Sequence, residues 1–372
     1  MSALKLVVSL GAAATLLACA AAVVQSCALP DFAVAGADGG PDASDDAAME
    51  AGPGHCGKTY PDPPGGTDAP ISNTVVLALR SVDLGEGEAN PPGYDLDKQC
   101  TCYMDAGPTC VSPYQHCDAP DGVDNGGAAL INLVSIATGG ANFGSTYFSN
   151  KAEQGRWSLL VQVTGYNGQA NDPKVDVALF PSKGLGAATP KWDGSDAWPV
   201  DAASVTNGDL AMPVYKSAGA YVSNHVLVAA MPSVSLTISG EVNTITMKLS
   251  EGVLTGTLAS FGGTFRITDG VVAARWYEPD IFAALSSYRD SKGKPLCTDL
   301  GFTYSTAKGA ICNGLDILKD QGGAKSLPCD SLSVGIGFHA DPAKLGAVTV
   351  PPMPTPGCAT PATDPINDSC SK

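Results

Sequence analysis

A chain of 372 residues that is 44% hydrophobic and only 16% charged, with 43 glycines and 28 prolines, favours many short elements separated by turns over long helices. Its formal net charge of −16 excludes the basic surface with which a nucleic-acid binder displaces phosphate counterions. The length exceeds what one hydrophobic core usually organises, which predicts a large domain with an appendage or two domains.

Residues 1–26 read as a lipoprotein signal peptide. Lys5 is the early cation, and the apolar run 6–18 is too short and too rich in alanine to span a membrane. Two cysteines could follow the cleavage site. Leu16-Leu17-Ala18-Cys19 fits the lipobox order of apolar, variable and small residues before cysteine, and Val24-Gln25-Ser26-Cys27 fits it except at Gln25. Parity selects Cys27 as the lipid-attachment residue, with Cys19 as the alternative. An anchor at Cys27 leaves ten of the 12 cysteines beyond it, an even number that can pair completely in an oxidising compartment; an anchor at Cys19 leaves Cys27 as an odd thiol. The expectation is export across the inner membrane and attachment, through an N-terminal lipid, to the outer membrane or the cell surface.

The anchor segment, 27–60, contains a stretch poor in large apolar residues and rich in acid, Ala37-Asp38-Gly39-Gly40-Pro41-Asp42-Ala43-Ser44-Asp45-Asp46. Such a segment buries too little surface to offset the entropy of ordering it, and it reads as a flexible tether. About 25 residues of this kind would hold a domain about 25–30 Å from the lipid.

The folded part, 61–278, opens with a β-branched run at 73–82. Next come Gly93-Tyr94-Asp95-Leu96-Asp97 and, beyond a cysteine-rich loop, Cys117-Asp118-Ala119-Pro120-Asp121-Gly122-Val123-Asp124-Asn125. Calcium takes six to eight oxygens on flexible loops, so Asp95, Asp97, Asp121, Asp124 and Asn125 form a candidate calcium set. No Glu closes an EF-hand loop. The competing reading has these side chains capping turns and the helix that follows.

Leu130, Leu133, Val134 and Ala137 then fall at helical spacing. Strand-like runs follow at 157–164, 174–180, 221–230, 234–239, 243–249, 253–259, 263–267 and 271–276, each bounded by Gly, Pro, Asn or Asp. Ile245, Met247 and Leu249 alternate with Thr244, Thr246 and Lys248, the pattern of a strand with one wet face. Together these runs predict a mainly β fold, an antiparallel β-sandwich of jelly-roll type, with a barrel as the alternative.

From 279 to 372 the chain reads as a cysteine-rich tail of helices and loops packed on the sandwich. Residues 279–289 present Ile281, Phe282 and Leu285, and residues 306–318 present Ile311, Leu315 and Leu318, at helical spacing. The cysteines divide into Cys56, Cys100, Cys102, Cys110 and Cys117 before the strands and Cys297, Cys312, Cys329, Cys358 and Cys370 after them. Two odd sets cannot each close internally, so at least one disulfide must join them if all are oxidised. Zinc competes poorly, because there is no Cys-x-x-Cys pair and Cys100-Thr101-Cys102 has unsuitable spacing.

Catalytic motifs are absent. There is no Gly-x-Ser-x-Gly elbow, no His-Glu-x-x-His and no phosphate-cradling glycine loop. His55 borders the tether, His116 lies in the cysteine loop, and His225 and His339 sit in strand-like runs. Trp192-Asp193-Gly194-Ser195-Asp196-Ala197-Trp198 and Arg275-Trp276-Tyr277-Glu278 combine aromatic faces with acids. They support an alternative, a secreted hydrolase of polysaccharide or peptide using Asp193, Asp196, Glu278 and Asp280. Tryptophans at a sandwich edge more often belong to its core.

The strings Ser26-Cys27-Ala28-Leu29-Pro30-Asp31-Phe32, Gly93-Tyr94-Asp95-Leu96-Asp97, Gly122-Val123-Asp124-Asn125, Gly165-Tyr166-Asn167-Gly168 and Gly335-Ile336-Gly337-Phe338 give the chain a further likeness. It resembles uncharacterised secreted lipoproteins abundant in myxobacteria. The resemblance implies an extracytoplasmic lipoprotein and transfers no catalytic residue. The functional expectation is a non-catalytic binding or surface module of the cell envelope; a purely structural envelope component is the third possibility.

Overall fold

The computed structural model describes residues 57–68, 71–102, 107–137, 144–239, 244–289, 294–350 and 357–371, all within the compact unit Pro53–Lys372. The signal peptide, Cys19, Cys27, most of the tether and Cys56 lie outside the described residues.

The protein is mainly β. Its principal strands are β1 (Thr74–Asp83), β2 (Ser158–Thr164), β3 (Asp172–Ser182), β6 (Gly219–Ser223), β7 (Val226–Ser239), β8 (Thr244–Phe261), β9 (Thr264–Tyr277) and β10 (Ser331–Thr349). Each pairs antiparallel with the next in this order, and β10 pairs back on β1, so the sheet closes in a ring. Two short strands lie outside the ring. β4 (Ala197–Asp201) runs parallel to the end of β10, and β5 (Tyr215–Lys216) joins β3. The expected two-sheet sandwich is thus replaced by one mixed, mostly antiparallel sheet whose first and last long strands seal it.

Alternation explains which side chains go where. Leu77 and Leu79 of β1, Val161 and Val163 of β2, Val177 and Leu179 of β3, and Leu254, Ile267 and Ile336 fill one large core drawn from all the ring strands. The intervening Ala78, Leu160, Ala178 and Phe180 face the other way, into a second core with Trp192, Trp198 and Val200. Both faces of β1 to β3 are therefore covered, which accounts for their almost unbroken apolar runs.

Helices are few: α1 (Gly126–Ala137), α2 (Ser145–Glu153), α3 (Glu278–Ser287) and α4 (Phe302–Gly314). The pairs of runs at 243–249 with 253–259, and at 263–267 with 271–276, fuse into the long strands β8 and β9. Asn224 and His225, at φ 50° and 64°, make the two-residue turn between β6 and β7. The stretch read as a helical tail contributes β10, and so is part of the ring.

The seam between β1 and β10 carries a buried ionic clasp. Asp341 of β10 has no solvent exposure. Its carboxylate lies 3.2 Å from Nη1 of Arg80 on β1, 3.1 Å from Nη2 of Arg266 on β9 and 3.5 Å from Nε2 of His339. Arg80 also reaches Glu153 of α2 at 2.6 Å, which ties that helix to the seam. Register shifts in both ladders fall at this point, between Leu79 and Ser81 and between Phe338 and Ala340. Bulges of this kind re-aim side chains, here turning Arg80 toward Asp341.

Four disulfides brace the fold: Cys102–Cys117, Cys110–Cys329, Cys297–Cys358 and Cys312–Cys370. Cys100 is disulfide-bonded as well. Cys110–Cys329 spans 219 residues and joins the early cysteine group to the late one. Disulfides in this number indicate an extracytoplasmic, oxidising compartment. Among the described residues no helix is long and apolar enough to cross a membrane.

Candidate metal centre

The long connection between β1 and α1 folds over the outside of β7, β8 and β9. Tyr94 and Leu96 pack there on Val228, Val253, Ala273 and Ile317, and the Tyr94 hydroxyl pairs with Thr255 Oγ1 at 2.8 Å. With Tyr94 and Leu96 facing the barrel, the alternate residues Asp95 and Asp97 turn away from it. Arg275 of β9, only 3% exposed, fixes the register of this segment. It donates to the carbonyl oxygens of Leu96 at 2.6 Å, Leu318 at 2.9 Å and Glu251 at 3.3 Å.

Asp124 arrives from the other side, just before α1. Its amide donates to Tyr94 O at 3.1 Å, while its carboxylate Oδ2 accepts from the amides of Leu96 at 2.6 Å and Asp97 at 3.1 Å. Asp95, Asp97 and Asp124 consequently each offer a carboxylate oxygen within 4.8 Å of the others. Such a group could hold a metal ion such as calcium.

Asp97 is held in place by Gln99 N at 2.9 Å and Thr109 Oγ1 at 2.5 Å. Asp95 packs against Gly57, whose φ of +134° and missing side chain both suit the approach, since a Cβ there would lie 2.5 Å from Asp95 Oδ2. The other oxygen of Asp95, Oδ1, is buried with no hydrogen-bond partner.

Burial and mutual repulsion push Asp95, Asp118 and Asp124 toward the neutral form. Burial, then the charge of Asp97, raises Asp95 to about 6. Asp124, only 3% exposed, is raised well above its ordinary value by burial and by Asp97. Asp118 is raised to about 7, first by burial and then by the charges of Asp97 and Asp95. Asp316 is raised by burial, against which Ser333 works through its hydroxyl and amide. Burial also lowers Arg275, a shift that Asp124 and Asp97 oppose. A divalent cation among these groups would reverse the carboxylate shifts.

His116, Asp118, Asp124 and Asp316 form the shared wall of two open cavities of about 570 and 270 Å³. His116 Nε2 is buried there without a hydrogen-bond partner.

Of the five residues read from the sequence as a calcium set, three come together. Asn125 is committed elsewhere: its Nδ2 donates to Pro92 O at 2.8 Å and Gly335 O at 3.0 Å, and its Oδ1 accepts from Ala128 N at 3.0 Å as the cap of α1. Asp121 is exposed, in the left-handed region at φ 64°, and stands outside the group; its carbonyl accepts from Lys58 N at 2.6 Å. Asp118, Asp316, His116 and Arg275 fall outside that set of five. Asp118 lay inside the acidic string, whereas nothing near Asp316 or Arg275 in sequence announces that they meet this loop.

The acids of the hydrolase reading are each engaged in a hydrogen bond or ion pair. Asp193 Oδ1 accepts from Ser195 N, and Asp196 Oδ2 from Lys191 N and Trp192 N, all at 2.8–2.9 Å. Glu278 Oε1 accepts from Cys370 N, and Asp280 pairs with Lys248 at 3.3 Å. Trp192 and Trp198 are buried against each other, with ring centroids 5.4 Å apart, and present no stacking face. Trp276 is buried as well.

No protein-family model, curated protein or solved structure matches the chain.

Proposed function

We propose that this chain is a lipoprotein of the cell envelope, anchored through Cys27 to the outer membrane or cell surface. In this reading it serves as a non-catalytic binding module whose loop layer is organised by calcium. The observation that carries the calcium part is the meeting of Asp95, Asp97 and Asp124 from two separate loops, with one buried oxygen of Asp95 left without a partner. An oxygen-only donor set favours a hard cation such as calcium over zinc. The hydrolase alternative draws less support, because its four acids already serve turns, a hydrogen bond to the C-terminal segment and an exposed ion pair.

The test is thermal melting of the mature, detergent-extracted protein. Millimolar calcium should raise the midpoint, a chelator should reverse the rise, and Asp124→Asn should remove the response. A midpoint indifferent to calcium in the parent protein would sink this reading.

A further inference from the structure

Cys102–Cys117 differs from the other bridges in exposure. Both of its cysteines are exposed, while Cys110 and Cys329 are 1% and 8% exposed and no other bridge has two exposed partners among the described residues. Cys102 sits at φ 73°, a left-handed conformation that is strained for a residue with a side chain. Gln115 Nε2 donates to Cys102 Sγ at 3.2 Å, so a hydrogen bond is in place to receive negative charge on that sulfur. The residues flanking the bridge on the inner side, Thr101 and Asp118, are locked together. Thr101 N donates to Asp118 Oδ2 at 2.6 Å and Asp118 N to Thr101 O at 3.3 Å. Asp118 and His116, on either side of Cys117, belong to the wall shared by the two acidic cavities.

We propose that Cys102–Cys117 is a redox-sensitive latch on the acidic cleft, opened by a dithiol reductant while the less exposed bridges stay closed. This rests on the reading of Asp95, Asp97 and Asp124, the last of which lines the cleft, as a cation site. A thiolate of the reductant attacks Cys117 Sγ, the S–S bond breaks, and Cys102 leaves as a thiolate received by Gln115. The second thiol of the reductant then attacks the mixed disulfide. It releases Cys117 and becomes the oxidised disulfide, so two electrons and two protons end on the protein sulfurs. With the bridge open, the Thr101–Asp118 pair is no longer held from both sides, and the cleft wall loosens. Asp124, one of the three candidate ligands, lines the same wall, and a ligand held less firmly lowers metal affinity on the order of tenfold.

The experiment treats the full mature protein with dithiothreitol under native conditions, blocks new thiols by alkylation, and identifies them by mass spectrometry. Calcium affinity and amide hydrogen exchange are measured on the same samples. Cys102 and Cys117 should be alkylated before any other cysteine. Exchange at Thr101 and Asp118 should then accelerate at least about tenfold, and calcium should bind about tenfold more weakly. The double variant C102S/C117S should reproduce both changes without reductant. Alkylation of another pair first, or unchanged exchange at Thr101 and Asp118 once this bridge is open, would overturn the latch. Calcium binding that is absent already in the oxidised protein would count against the cation reading alone, since alkylation order and exchange judge the latch without it.

Discussion

Asp341 and Asp124 are both buried acids, and their surroundings set them apart. Asp341 is compensated by the guanidiniums of Arg80 and Arg266, from two neighbouring strands, whereas Asp124 sits among like charges and accepts only amides. Asp341→Asn removes a charge that two guanidiniums share. Breaking a buried pair typically costs about 3–5 kcal/mol, but both arginines are partly open to water and can be resolvated, so a loss of about 2 kcal/mol is expected, read as a lower urea midpoint. The candidate centre was legible at this scale because its three acids lie in two short strings with glycine-marked turns. Asp118 was visible but unassigned. Asp316 and Arg275 were not legible, because they approach the loop only through the ring's closure. Asn125, an amide beside an acidic string, has the chemistry of a ligand but caps a helix.

At the scale of elements, the runs that alternate or branch at Cβ became strands, and those that failed to announce themselves have physical reasons. β10 carries Gly335, Gly337, Gly346 and Pro342, residues that weaken a strand reading. Each glycine marks a close approach instead. A Cβ on Gly335 would lie 2.0 Å from Pro92 O, and one on Gly346 would lie 2.8 Å from the Trp198 backbone. α2, with Phe148 and Ala152 as its buried residues, has too narrow an apolar stripe to be read as a helix. A pair of identical substitutions separates packing from propensity. Gly335→Ala should destabilise by about 1–3 kcal/mol through overpacking against the loop layer. Gly309→Ala, inside α4 with nothing near its Cβ position, should stabilise by up to about 1 kcal/mol. Equilibrium unfolding of the two variants checks both signs.

For the whole molecule, the acidic loop layer ties stability to pH. Asp95, Asp118, Asp124 and Asp316 all have folded pKa values above their unfolded ones, so the folded state holds protons that the unfolded chain releases near pH 4. Their contribution is fully present below that point and is lost as pH rises through about 6 for Asp95 and about 7 for Asp118. In chelator, the melting midpoint should therefore fall between pH 5 and 8 from this contribution. Saturating calcium should flatten that fall, because the cation takes over from the protons. The ring itself has a consequence for how the chain is made. Every chain emerges amino terminus first, so β1 is exposed long before β10, its partner across the seam, has appeared. In that interval β1 can pair with β2 on one side only, and β9 is also left open once it is complete. The nascent barrel is thus a curled sheet with two adhesive borders, and it stays vulnerable to joining a neighbouring chain until its last long strand zips the borders together.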